Sequence, residues 1–124
     1  MKAVATDKAP KAAGPYSQAV VHDGLVYVSG QIPVDPATGS VPEGMTAQAE
    51  QALKNLSAVL EAAGSGTGRA LKVTVFISDM SQFAAVNEVY ARFFAEPYPA
   101  RTCVESPHLP KGVMIEIDAI GIVG

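Results

Sequence analysis

Apolar residues recur along this chain in two rhythms, one near two and one near 3.6, and their succession defines the elements. Tyr16 to His22 and Leu25 to Ile32 run extended on either side of Asp23-Gly24. That dipeptide suits a two-residue hairpin turn, because glycine accepts the positive φ the turn demands. From Met45 the step changes: Met45, Ala49, Ala52, Leu53, Leu56, Val59, Leu60 and Ala63 form one helical stripe, with Gln48, Glu50, Lys54, Asn55 and Glu61 away from it and Gly64 as its stop. Leu71, Val73, Val75 and Ile77 then alternate with Lys72, Thr74, Phe76 and Ser78, a strand with one strongly apolar face. A second helix, capped by Asp79 or Ser81, buries Phe83, Val86, Val89, Tyr90, Phe93 and Phe94 and ends before Pro97. Asn87 lies off that stripe and reads as a surface residue.

Two C-terminal strands complete the pattern, Tyr98–Glu105 and its return partner Val113–Ile120. Residues 1–13 show no period and read as a lead-in, while Pro33–Pro42 is a loop dense in turn signals. The resulting order, β-β-α-β-α-β-β, predicts an α+β domain spanning residues 1–124: a mostly antiparallel sheet with two helices on one face. Tyr27, Phe76, Met114 and Ile120 then fall on the other face, and an apolar sheet face without helices predicts burial in an oligomer.

Composition narrows the function. At 124 residues and 48% hydrophobic content the chain can bury a two-layer core, and no apolar run approaches the roughly 18 to 20 residues of a membrane span. Residues 1–7 lack a hydrophobic stretch of signal-peptide length, so a cytoplasmic protein is expected. A net charge of −3, with nine basic residues scattered, disfavours nucleic-acid binding. Cys103 is the single cysteine, consistent with a reducing compartment, and neither it nor His22 or His108 has ligand spacing, so no metal site is expected. The run Gly64–Arg69 resembles a phosphate loop only in composition. It leaves a helix and enters a strand, the reverse of the order that points free amides at an anion.

The candidate chemistry lies in the last two strands. Pro99 belongs at a strand entrance, which places Arg101 at the first pleats, where its planar fork can grip a carboxylate from the rim of a cleft. In the return strand Glu116 sits mid-strand on the polar face with Met114 and Asp118, opposite Val113, Ile115, Ile117 and Ala119. Partial desolvation would raise its pKa toward the range of a proton shuttle. The competing reading is a solvated or structural Arg101–Glu116 ion pair. A simple hairpin would also place Thr102, not Arg101, opposite Glu116, unless a bulge or slip reversed the register. Ser29 and Gly30, small residues inside a strand, read either as pocket lining or as a bulge.

The blocks P-A-R-T-C-V-E, L-P-K-G-V-x-I-E-I-D-A-I, G-P-Y-S-Q-A, V-Y-V-S-G-Q-I-P-V-D-P-x-T-G and K-V-T-V-F-I-S-D-M together resemble the RidA/YjgF family of reactive-intermediate deaminases, in order and over nearly the whole chain. The resemblance implies a chorismate mutase-like fold and a homotrimer with sheets facing inward and clefts between subunits. It implies hydrolysis of 2-imino and enamine acids (2-iminobutanoate, 2-iminopropanoate, 2-aminoacrylate tautomers) to 2-oxo acids and ammonia, without metal or organic cofactor. By the same resemblance Arg101 would hold the substrate carboxylate, the Cys103 backbone would contact the ligand, Glu116 would activate water, and Tyr16, Ser29, Gly30 and Asn87 would line the cleft. Other labels borne by the family, endoribonuclease and chaperone-like protein, and a non-catalytic role binding small oxo acids, are the alternatives. The chain departs from the family at Ser106-Pro107-His108, which leaves substrate range open.

Overall fold

The computed structural model describes residues 1–124. Six strands and two helices follow in the order β1 (Lys2–Val4), β2 (Ala19–His22), β3 (Leu25–Gln31), α1 (Met45–Ala62), β4 (Ala70–Ile77), α2 (Phe83–Phe93), β5 (Ala100–Glu105) and β6 (Ile115–Ile122). They form a mixed α+β fold with a single sheet, ordered β1-β2-β3-β6-β4-β5, in which only β4 and β5 run parallel. Both helices pack on one face over a core that includes Leu53, Leu56, Leu60, Val73, Ile115 and Ile117.

Local chemistry accounts for the element ends. Asp23 and Gly24 both take positive φ (49° and 77°) and close the β2–β3 hairpin in the expected way. Gly64, at φ 84°, ends α1: its N–H reaches Glu61 O at 3.0 Å and that of Ser65 reaches Leu60 O at 2.9 Å, the paired bonds of a Schellman stop. Ahead of α2, the Asp79 side chain accepts from Ser81 N at 2.9 Å and caps the 3-10 turn Met80–Gln82 that leads into the helix, while α2 itself, entered from Gln82, carries no side-chain cap.

Five expectations are corrected. The lead-in contains a strand, β1, whose Lys2, Ala3 and Val4 pair with Val21, Val20 and Ala19; three residues are too short to show a period. The two C-terminal strands are not partners. After β5 the chain turns through Pro110–Gly112 and inserts β6 between β3 and β4, so β4 separates Arg101 from Glu116 and the hairpin register does not arise. Gln48 and Asn55 are buried although off the apolar stripe, because each carboxamide completes backbone groups of a loop. Leu71, assigned to the buried face, is 45% exposed, because the β4–β6 register shifts between Ala70 and Lys72. On the outer face Tyr27 pairs with Ile120 and Phe76 with Glu116, as expected, but Met114 packs against the main core.

The buried amides position the loops around β3 and β6. Asn55 Nδ2 donates to Ile32 O and Val34 O, both at 2.9 Å, while Gln48 accepts from Met114 N at 2.8 Å and donates to Pro42 O at 3.0 Å. An Asn55→Ala chain loses the partner of Val34 O and should unfold in urea with about 2 kcal/mol less stability, the cost of one buried polar group left bare together with its lost bonds. The slope of the transition should stay unchanged.

Candidate functional site

The period of two, applied across β3, β6, β4 and β5, decides where each candidate points. Ile115, Ile117 and Ala119 enter the helix-covered core, so Glu116 and Asp118 emerge on the opposite face. Phe76 pairs with both Glu116 and Val104, which puts Val104 and Thr102 on that face and turns Arg101 and Cys103 toward the helices. The candidates therefore divide between two cavities on opposite faces of one sheet.

The first cavity, about 380 Å³, is lined by Tyr16, Ser29, Gly30, Ile32, Pro110 and Glu116. Both readings of Ser29-Gly30 hold together, since the β3–β6 register is irregular between Val28 and Gln31 and the same two residues wall the cavity. Gly30 leaves the space that the Glu116 carboxylate occupies: a Cβ there would overlap its oxygen and displace the side chain. Ser29 Oγ donates to Ser17 O at 2.5 Å and Ser29 N to Gln18 O at 2.9 Å. Gln18 is itself buried and bonds Thr6 N at 2.7 Å and Pro10 O at 2.7 Å, which fastens the N-terminal arm beside exposed Tyr16. Burial pushes the Glu116 carboxyl above its ordinary value, and the neighbouring Asp118 charge pushes it further. Asp118 is also raised by burial, against the opposing pull of Thr74 hydrogen bonds and the Lys72 charge. Lys72, half-buried on this face, donates to Thr102 Oγ1 at 2.6 Å.

The second cavity, about 420 Å³, is lined by Asn87, Tyr90, Ala91, Tyr98, Pro99 and Arg101. Pro99 precedes β5 and Arg101 is its second residue, as the strand-entrance argument required. Arg101 Nη1 donates to Asn87 Oδ1 at 2.8 Å, and its guanidinium carbon lies 4.7 Å from the Tyr90 ring centroid and 5.4 Å from that of Phe83. Asn87 is thus a half-buried partner of Arg101 and not a free surface residue. No carboxylate pairs with Arg101, since the chain's two ion pairs join His22 to Asp23 and Arg92 to Glu50. This removes the reading of Arg101–Glu116 as an internal salt bridge.

Cys103 lines neither cavity. Burial raises its thiol pKa, which opposes a thiolate role. Its backbone is another matter. Ser106 N donates to Ile77 O at 2.8 Å, and amide direction alternates along a strand, so the N–H and C=O of Arg101, Cys103 and Glu105 face the open edge of β5. His108 is exposed in the loop after β5, about 23 Å of extended chain beyond Arg101. Hydrophobic periodicity accounts for Phe83 and Tyr90 only as core residues, yet their rings surround Arg101. Their spacing with Asn87, i, i+4 and i+7, is a legible sign that all three share one helix face.

Two outcomes test this geometry. Gly30→Ala should fold, because the group struck by its Cβ is the mobile end of Glu116, but the displaced carboxylate should change its titration in side-chain NMR. Glu116→Gln should raise the melting temperature at neutral pH. The folded pKa lies above the ordinary 4.5, so ionisation costs stability as pH rises through that raised value; the gain from Gln should disappear below pH 4.5.

Residues 6–123 match the family model described as Endoribonuclease L-PSP. The chain is 52% identical to a Salmonella typhimurium protein named 2-iminobutanoate/2-iminopropanoate deaminase, over 98% of this chain and 97% of that one. It is 53% identical to a Haemophilus influenzae protein named only as RutC family, over 94% of this chain and 93% of that one. Among solved structures, that of E. coli TdcF with bound serine superposes with a TM-score of 0.95 at 46% identity, covering 100% of both chains. With the match running almost end to end in both sequence and backbone, the chain belongs to the Endoribonuclease L-PSP family, the RidA/YjgF family whose motifs it carries.

Proposed function

We propose that this protein hydrolyses reactive 2-imino and enamine acids, such as 2-iminobutanoate and 2-iminopropanoate, to the 2-oxo acid and ammonia. The observation that carries the reading is Arg101: a half-buried guanidinium in a cavity, oriented by a neutral amide and two rings and left without an acidic partner. Such a group is built for a carboxylate brought by a ligand. The name of the Salmonella relative and the serine bound to E. coli TdcF support a small amino-acid-like ligand.

The active unit contains more than one copy of the chain. Glu116 lies two strands away from Arg101, about 10 Å at the usual inter-strand spacing, and on the opposite face of the sheet. A four-carbon acid cannot bridge that separation. Arg101 of one copy meets Glu116, Tyr16, Ser29 and Gly30 of another in a homotrimer whose outer sheet faces turn inward, which would also cover Tyr27 and Val104 (42% and 40% exposed). Arg101 and the outward amide of Cys103 hold the substrate carboxylate, with Asn87 keeping the guanidinium in place.

The reaction needs little beyond orientation. Water adds to the imine carbon, losing a proton to Glu116, and the C=N pair moves to nitrogen. Glu116 returns that proton to nitrogen, giving the carbinolamine, and then carries the carbinol proton to the amino group, so that the C–N bond breaks with ammonia as the leaving group while the oxo group forms. An enamine first takes a proton at its β carbon. The raised carboxyl pKa of Glu116 suits a group that must both accept and return a proton, and no step requires a metal or organic cofactor.

The test is oxo-acid release from an imine generated by a coupled dehydratase. Arg101→Ala should raise KM strongly, since each charge-assisted bond contributes about 1.5–3 kcal/mol, and Glu116→Gln should depress kcat. Wild-type activity should fall as pH drops and Glu116 becomes protonated. No acceleration by the wild type would refute deamination, whereas full activity in Glu116→Gln would refute the role given to that carboxylate.

A further inference from the structure

The setting of Arg101 goes beyond what a carboxylate anchor requires. Phe83, Asn87 and Tyr90 follow one another on one face of α2, and residues seven apart on a helix are separated by about 10.5 Å along its axis. The guanidinium carbon lies over both rings, 5.4 Å from the Phe83 centroid and 4.7 Å from that of Tyr90, distances that together match that axial separation. Tyr90 is in turn backed by Phe94, with centroids 4.4 Å apart and planes at 29°, and Phe94 is 3% exposed. The stack therefore runs from the core through Phe94 and Tyr90 to Arg101 and on to Phe83. The Tyr90 hydroxyl is buried without a hydrogen-bond partner, so the ring and not the hydroxyl is what the arrangement uses.

We propose that Phe83 and Tyr90 are positioning residues that clamp the Arg101 guanidinium between their faces, so that the site admits a planar carboxylate edge-on and disfavours tetrahedral oxyanions. The inference rests on the reading of Arg101 as the ligand anchor. All guanidinium N–H groups lie in its plane, and Asn87 occupies Nη1 at 2.8 Å. With rings over the faces, ligand oxygens must arrive in that plane, where a carboxylate can make two parallel bonds. A phosphonate places an oxygen and additional negative charge out of plane, against the electron-rich face of a ring.

The probes are 2-oxobutanoate and its phosphonate counterpart, with binding to the full-length protein followed by calorimetry and imine hydrolysis in parallel. Tyr90→Leu should raise KM about tenfold with kcat little changed, and should shrink the preference for carboxylate over phosphonate by a similar factor. Tyr90→Phe should restore both. Phe83→Leu, at a half-buried position, should act in the same direction and stands in if Tyr90→Leu does not fold. An unchanged carboxylate preference in the leucine variants, or a Tyr90→Phe chain as impaired as Tyr90→Leu, overturns the clamp. If 2-oxobutanoate binds the wild type and Arg101→Ala equally, the anchor reading falls as well; if Arg101→Ala alone loses binding, only the clamp falls.

Discussion

The alternation of side chains across a pleated sheet is the constraint on which this molecule depends. β6 lies between β3 and β4, and Ile115, Ile117 and Ala119 must enter the core because both helices cover that face. Glu116 and Asp118 are then committed to the other face, one residue out of phase. The same rule applied through β4 to β5 turns Arg101 toward α2. No side-chain rotation can undo this, because moving either residue to the other face means shifting a whole strand and burying its polar set. The division of the candidate residues between two cavities is therefore as firmly set as the hydrophobic core itself.

Within that constraint, each half of the site is prepared by neutral groups. The Glu116 side is shaped by a glycine that leaves room for a carboxylate, a bulge in β3, and carboxamides that fasten the adjoining loops: Gln18 on the N-terminal arm, Asn55 on Ile32–Val34 and Gln48 at the entrance of β6. The Arg101 side uses one amide and two rings. In neither place does an opposite charge inside the chain satisfy the ionisable group. A counter-charge in place would hold Arg101 in a closed pair and pull the Glu116 pKa down. Neutral support keeps the guanidinium available to an anion and keeps the carboxyl in a range where it can exchange protons.

Much of this was legible in the sequence because it rests on local rules. Asp23-Gly24, Gly64, Asp79 and Pro99 mark boundaries by backbone chemistry alone, and the alternation of Val113–Ala119 was enough to put Glu116 on the polar face. The insertion of β6 between β3 and β4 was hidden, because strand order is a property of long-range packing and two strands adjacent in sequence suggest a hairpin. Gln48 and Asn55 were misplaced for a related reason. Hydrophobic periodicity ranks residues by side-chain polarity, whereas these two are buried by the demands of loop carbonyls and amides far away in sequence. Asn87 and Tyr90 lay between the two cases: their helix face was readable, but the arginine arriving from β5 was not.

The family description, Endoribonuclease L-PSP, can be weighed against the same physics. Gripping a ribose-phosphate backbone requires several cations along a track, since affinity for such a polymer grows with each phosphate neutralised. Here the site's face of the sheet presents Glu116 and Asp118, both held in partly desolvated positions, and the one lysine beside them already donates to Thr102. On the other face Arg101 offers a single cationic fork inside a cavity of about 420 Å³. One fork matches one carboxylate. An imine of a 2-oxo acid is already electrophilic, so positioning one carboxylate, one water and one proton-transfer group supplies the chemistry it needs.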